Sequence, residues 1–251
     1  MEVYAGFAHF YAEGPYPHFG QRMAELLPVV LGRFDFQPQA ILDLACGEGT
    51  FAMAMAGQGF QVTGVDLSMP MLELARGRAR QEGVAVSFFH QDMRFLSLEG
   101  PFDLATCWFD SLNYLLEASD LQRTFAGVHR AVRERGLFVF DMNTVYGLAV
   151  QWQRRACYVQ QDTPVLFEVH RPAYDYERNI ATLRITGFSR QGQAWVRMDE
   201  SHRQRGYTLD EVRACFQQVG WQELACWDSL QEMSEPGPES GRVWFVLRKD
   251  G

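Results

Sequence analysis

The chain has 251 residues, 31 acidic and 23 basic, with a formal net charge of −8 and 47% hydrophobic content. That length fits one domain of ordinary size, or one domain with a small insert, and the hydrophobic content excludes wholesale disorder. The acidic balance argues against a broad nucleic-acid footprint and an anionic membrane surface, and no window approaches the roughly 20 apolar residues that span a bilayer.

Residues 21–35 have a helical pattern, with Pro28 expected to kink or split it. A regular beat follows. AILDLA (40–45) reads as a strand, 50–58 as a helix closed by Gly59, and QVTGVDL (61–67) as a second strand. Ser68 can cap a helix with Pro70 in its first turn, running to about Gln81. VAVSFFHQD (84–92) and FDLATCWF (102–109) are the third and fourth strands. Ser119 and Gln122 have capping-box spacing for a helix ending at Gly136, and LFVFDM (137–142) is the fifth strand. Strands alternating with helices imply a parallel, doubly wound α/β sheet.

The beat breaks after residue 142. Residues 157–205 contain no helical pattern and divide into longer strands at 157–161, 165–175, 180–189 and 193–205. Pro172 puts the second of these at an edge or a bulge. Thr208 and Glu211 then form a capping box, Gly220 ends that helix, and strands follow at 221–228 and 242–249. A Pro/Gly loop (234–241) joins the last two strands without a helix, so they are expected to pair antiparallel. The expected architecture is a Rossmann-like seven-stranded sheet formed by 1–142 and 206–251. An antiparallel lid or substrate insert, 143–205, interrupts it.

The opening residues lack the charged-then-apolar order of a signal peptide. The five cysteines (Cys46, Cys107, Cys157, Cys215, Cys226) have neither zinc nor redox spacing, which predicts free thiols in a reducing cytoplasm. The six histidines form no pair at ligand spacing, so no metal is expected.

Between the first strand and its helix lies Asp43-Leu-Ala-Cys-Gly47-Glu-Gly49-Thr50. Glycines there let a ligand touch backbone, and ligands of open α/β sheets bind outside the carboxyl ends of the strands. An NTPase-type loop needs a lysine beside the Ser/Thr, and Gly49–Thr50 has none. A dinucleotide site is a stronger rival, because Gly47-x-Gly49-x-x-Ala52 fits its loose fingerprint. Against it, an aspartate and three more residues separate the strand from the first glycine. S-adenosylmethionine is the third candidate. Asp43, Asp66, Asp92, Asp110 and Asp141 stand at or near the ends of the first five strands. An acidic rim suits a sulfonium and an ammonium and repels a pyrophosphate. Asp66 follows Gly47 by 19 residues, the interval for a carboxylate that accepts from ribose hydroxyls.

The runs ILDLACGEGT, VTGVDLS, HQDM and FDLATCWFDSLNYL resemble the class I S-adenosylmethionine-dependent methyltransferases. With the N-terminal Tyr4, Phe7, Ala8, Tyr11 pattern and the insert, the chain is similar to a small-molecule subgroup that includes bacterial sugar N-methyltransferases. The resemblance implies that Asp43 and the backbone of Ala45, Cys46, Gly47 and Gly49 follow the methionyl part of the cofactor. It implies Asp66 on the ribose, Leu67 and Met71 near the adenine, Asp92 on the adenine amino group and Met93 on its ring. Trp108 to Asp110, including Phe109, would face the sulfonium. Ala45 departs from the strict motif, which has glycine there.

Methyl transfer is an in-line displacement, and the protein mainly supplies proximity and alignment. The expected function is transfer to N or O of a small molecule, with no nucleic-acid or membrane partner. The alternatives are an NAD-dependent oxidoreductase and a non-catalytic S-adenosylmethionine-binding module. His202, in the last insert strand, is a candidate base that could equally be a surface histidine. Tyr11 is a candidate on the N-terminal segment, or a packed aromatic. Asp110 could fix an amine or hydroxyl, or cap the short helix after it. Arg203 and Arg205 share a strand face and could bind an acidic substrate group, although a solvated charged face is expected. Cys46 reads as a small buried side chain rather than a nucleophile.

Overall fold

The computed structural model describes residues 4–98 and 100–250. In chain order come α1 (Ala8–Glu13), α2 (Pro17–Gly32), β1 (Ala40–Leu44), α3 (Thr50–Gly57), β2 (Gln61–Asp66) and α4 (Met69–Glu82). Then follow β3 (Ser87–His90), β4 (Phe102–Cys107), α5 (Ala118–Ala131) and β5 (Val132–Asn143). The insert supplies β6 (Tyr158–Asp162), β7 (Leu166–Asp175), β8 (Ile180–Gln191) and β9 (Ala194–Arg205). The chain closes with α6 (Leu209–Gln217), β10 (Trp221–Trp227) and β11 (Arg242–Lys249).

The main sheet has seven strands in the order β10-β11-β5-β4-β1-β2-β3. β1 to β5 run parallel, and β11 is antiparallel to both β5 and β10. Continuous apolar runs in β1, β4 and β5 are buried on both faces, as a sheet covered on both sides requires. Leu27, Phe51 and Leu72 of α2, α3 and α4 fill one face, and Phe125 and Phe216 of α5 and α6 the other. Sheet order reverses between β1 and β4, so a crevice opens at their carboxyl ends.

Most expected elements form, with local differences. α2 begins at Pro17 and runs through Pro28 as one helix. The expected capping box at Ser119 does not form: α5 starts two residues earlier, and its N-cap Glu117 makes no side-chain cap. Nor does Gly136 end that helix. α5 stops at Ala131 because Val132 already pairs with Phe102, and a bulge with Arg135 at φ +61° absorbs the following residues. β4 ends at Cys107, which releases Trp108 and Phe109 into the crevice.

The insert is a four-stranded antiparallel sheet, β6-β7-β8-β9. Pro172 falls beyond the end of β6, where that edge of β7 has no partner. The inner face packs Leu166 and Ile185 against Phe7 and Phe10 of the N-terminal segment. The Thr208–Glu211 capping box of α6 is present in both directions.

Candidate functional site

A cavity of about 380 Å³ lies over the carboxyl ends of β1, β2 and β4. Every residue assigned to cofactor from sequence lines it except Gly49: Asp43, Ala45, Cys46, Gly47, Asp66, Leu67, Met71, Asp92, Met93, Trp108 and Phe109. Tyr11 lines it too, whereas His202 and Asp110 do not.

The loop after β1 turns sharply. Ala45, Gly47 and Gly49 all have positive φ (+51°, +56° and +85°). Ala45 therefore accepts the conformation for which the strict motif uses glycine. A Cβ on Gly47 would meet only Met71 Cε, at 3.6 Å, so that side of the backbone stays open to the cavity. Gly49 serves packing instead. A Cβ there would come 3.0 Å from Phe88 and 3.1 Å from Ala75. Gly49→Ala should thus cost about 1–3 kcal/mol of stability through overpacking and φ strain. Urea denaturation checks this, and an unchanged midpoint would refute it.

The acidic rim divides in two. Asp43, Asp66 and Asp92 face the cavity. Asp43 is fully buried and accepts from Thr106 Oγ1 at 2.9 Å. Burial pushes its carboxyl up to about 8, with the Thr106 hydroxyl opposing and Asp66 reinforcing. Asp66 is raised by burial as well, although it accepts from the backbone N–H of Ser68 (2.7 Å) and Gly47 (2.8 Å). Asp92 lies below the usual range: against the effect of burial, the Arg94 guanidinium and backbone N–H hold its charge.

Asp110 and Asp141 do not reach the opening. Arg242 Nη2 lies 2.5 Å from Asp110 Oδ1, and Arg242 Nη1 pairs with Asp141. Gln204 donates to the other oxygen of Asp110. Asp110 therefore does not cap the short helix after it with its side chain, which is taken up by Arg242 and Gln204. Asp141 accepts from the backbone N–H of Phe109 (2.6 Å) and Asp110 (3.0 Å), both at positive φ. This carboxylate fixes the turn that presents Phe109, which stacks on Phe19 at 4.6 Å. Sequence reading missed Arg242, because its partners become visible only once β11 pairs with β5.

The far end of the cavity is aromatic: Tyr4, Tyr11, Phe19, Phe109 and Tyr114. Burial pushes the Tyr4, Tyr11 and Tyr114 phenols well up, so they stay protonated at neutral pH. Tyr11 stacks on Tyr16 at 5.1 Å. No lining residue comes from 157–205. The insert acts through the N-terminal segment: Glu200 accepts the backbone N–H of Tyr4 (2.5 Å), Gly6 (3.1 Å) and Phe7 (3.1 Å). His202 is buried, not solvated, with Nδ1 2.8 Å from Tyr114 Oη and Nε2 3.0 Å from Glu200 Oε1. Arg203 is exposed, while Arg205 pairs with Glu211 and covers the Tyr207 ring.

All five cysteines are free thiols, and burial raises Cys46 well above its ordinary value. Among the described residues no cluster of three or more His, Cys, Asp or Glu side chains could hold a metal ion, and no helix is long and apolar enough to cross a membrane.

Residues 41–136 match a family described as a methyltransferase domain. The chain is similar to two proteins that are named provisionally as methyltransferases. One, from a Geobacillus species, is 33% identical over 83% of this chain and 84% of its own length. The other, YqeM of Bacillus subtilis, is 30% identical over 98% of this chain and 97% of its own. Among solved structures, an S-adenosylmethionine-dependent methyltransferase from Clostridium acetobutylicum superposes with TM-score 0.85 at 25% identity, covering both chains completely. A sugar N-methyltransferase from Streptoalloteichus shares the fold, with TM-score 0.75 at 17% identity over 100% of this chain and 94% of its own.

Proposed function

The chain belongs to the class I S-adenosylmethionine-dependent methyltransferases, and from that premise we propose that its acceptor is a small molecule methylated on nitrogen or oxygen. The cavity carries the reading: one space runs from a buried carboxylate end, Asp43 and Asp66, to an aromatic end, Tyr4 to Tyr114. The donor set fits the cofactor. A buried carboxyl held neutral without a ligand is suited to a cationic one, and the open side of Gly47 leaves room along the backbone. When bound, S-adenosylmethionine supplies a methyl group on a sulfonium that departs as a neutral thioether with the C–S electron pair.

The assignment of residues is as follows. Asp43 and the backbone of Ala45 to Gly47 hold the methionyl end, and Asp66 takes the ribose hydroxyls. Leu67, Met71 and Met93 enclose the adenine, with Asp92 at its amino group. Trp108 and Phe109 bound the sulfonium side. Tyr11 belongs to the acceptor wall. The insert and the N-terminal segment form one lid, latched by Glu200, that excludes water and shapes the acceptor end. Neighbours of the same fold that act on sugars, such as the sugar N-methyltransferase of Streptoalloteichus, support a compact polar acceptor.

The deciding experiment incubates the protein with methyl-labelled S-adenosylmethionine and a small-metabolite extract. Label in a low-molecular-mass product supports the reading, and label only in protein or nucleic acid overturns it. Asp66→Ala tests the ribose contact. It should weaken S-adenosylmethionine binding by about 1–3 kcal/mol in calorimetric titration. Because Asp66 also accepts two backbone N–H groups, the ligand-free variant should lose about 1–3 kcal/mol of stability as well. Unchanged affinity in a folded variant removes the assignment.

A further inference from the structure

The geometry points to a proton relay that leaves the acceptor end of the cavity through Tyr114 and terminates on His202, backed by Glu200. The relay rests on the small-molecule reading above and says how that acceptor loses its proton.

The cavity's walls offer no base to the acceptor end: Asp43 lies at the opposite, cofactor end, Glu48 is paired with Arg78, and Asp120 with Arg94 and Arg123. Tyr4, Tyr11 and Tyr114 are phenols held protonated by burial. Asp92 is engaged by Arg94, and Asp66 by two backbone amides. Yet Tyr114 is amphibious. Tyr114 lines the cavity, while its Oη lies 2.8 Å from Nδ1 of a histidine that the cavity does not touch. Tyr4 Oη stands 3.0 Å from Tyr114 Oη and extends the chain along the same wall.

On the far side of the imidazole the contact is an ion-pair approach, in which Nε2 makes no aligned hydrogen bond among the described residues. Nε2 is 3.0 Å from Glu200 Oε1. Burial alone would raise that carboxyl, but His202 and the backbone amides of Tyr4 and Gly6 outweigh it and keep the carboxylate charged. The titratable groups facing His202 are therefore Glu200 on β9, Tyr114 after β4, and Tyr4 of the N-terminal segment. Phe7 covers its ring from that segment, and Leu183 of β8 is its uncharged register partner. Among the described residues the Glu200 carboxylate is the one charged group in contact with the ring.

The transfer balances without a further reagent. The acceptor's N–H or O–H bond breaks as it takes the methyl group, and that proton forms an O–H bond on Tyr114. The original Tyr114 proton crosses to His202 Nδ1, giving an imidazolium beside Glu200. Tyr114 is the catalytic residue here, and His202 acts through it. An imidazole with an ordinary value near 6.5 takes a proton from an ammonium far more readily than from an alcohol, so the relay favours an amine acceptor.

A relay of this direction requires Nδ1 to be bare before the reaction. A purely structural bond has no such need, and a permanently charged imidazolium would serve it better. The test is ¹⁵N NMR of histidine-labelled protein saturated with S-adenosylmethionine, with the His202 signals identified by His202→Gln. Nδ1 should carry no proton at pH 8 and gain one at a lower midpoint pH. Glu200→Gln should lower that midpoint by about one unit or more. An imidazolium at every pH from about 6 to 9, or a proton on Nδ1 in the neutral ring, overturns the relay. Tyr114→Phe keeps the ring and removes the path. Its labelled-methyl incorporation from the metabolite extract should fall by about 10²–10⁴-fold with cofactor affinity unchanged. Wild-type incorporation in that variant also overturns it. Failure of the small-molecule reading would appear separately, as no extract labelling by the wild type, and would leave the spectrum unaltered.

Discussion

Asp43→Asn should make the protein more stable and a poorer binder at once. Asp43 is fully buried at the end of β1, and burial pushes its carboxyl up to about 8. In the unfolded chain the same group titrates near 3.9. The folded state therefore binds the extra proton between those values, and stability is greatest below about 4 and falls as pH rises towards 8. At pH 7 the ligand-free fold has had to neutralise this group, at a cost of the order of 2–4 kcal/mol. Asparagine has the same shape and no charge to neutralise, so that cost disappears. Urea denaturation should show the variant more stable by that order at pH 7, with the gain shrinking towards pH 4. Binding should move the other way. A cationic ligand that draws the proton off Asp43 loses its carboxylate in the variant, and affinity for S-adenosylmethionine should fall by at least about tenfold. Calorimetry of the wild type in buffers of different ionisation heat should register proton release near pH 7, vanishing above about 9. Equal affinity in the variant, or no proton release in the wild type, would remove Asp43 from the cofactor's cationic end.

What could be read in the sequence follows from how local each signal is. The five parallel strands and the insert strands are marked by short apolar or alternating runs, and their ends agree to within a few residues. The Thr208–Glu211 box is a pairing over three residues and formed as written. Ser119–Gln122 has the same spacing and did not form, because the chain enters α5 through Glu117. Spacing alone cannot say where a helix is entered. The Gly47 loop and Asp66 were legible because loop and strand are joined by β1–β2 pairing, the shortest crossover between neighbouring parallel strands. Asp110 and Asp141 were misplaced on the open rim for the opposite reason. Their cation comes from position 242, more than 100 residues along the chain, and reaches them through antiparallel pairing with β5. His202 illustrates the same limit. Alternation put it on the face opposite Arg203, but not which face was buried. Only the N-terminal segment, folded under the insert, makes that the inner one.

Arg242→Met should be the most damaging single change to the fold around the cavity. The guanidinium is the one cation among the described residues in contact with the buried carboxylates of Asp110 and Asp141, and it lies over the rings of Phe19 (5.0 Å) and Phe109 (5.7 Å). Methionine fills similar space and leaves the carboxylates unpaired, and breaking a buried ion pair on one side costs about 3–5 kcal/mol. Burial already pushes Asp141 up to about 6 with Arg242 opposing; without the arginine it rises further. The variant can then relieve its strain by taking up protons. Its deficit should thus be largest near pH 8 and shrink towards pH 5, where protonation makes Asp141 neutral. Function should fail by a distinct route. Asp141 holds the backbone N–H groups of Phe109 and Asp110 in their left-handed conformation only while both of its oxygens accept. Once it is protonated, that turn loosens and the Phe109–Phe19 wall between Asp43 and the acceptor end goes with it. Removing the charges together should therefore restore stability but not activity. Arg242→Met with Asp110→Asn and Asp141→Asn should recover most of the lost denaturation midpoint while methyl transfer stays impaired. An Arg242→Met protein as stable as wild type at pH 8 would show that solvent, not the arginine, satisfies the two carboxylates.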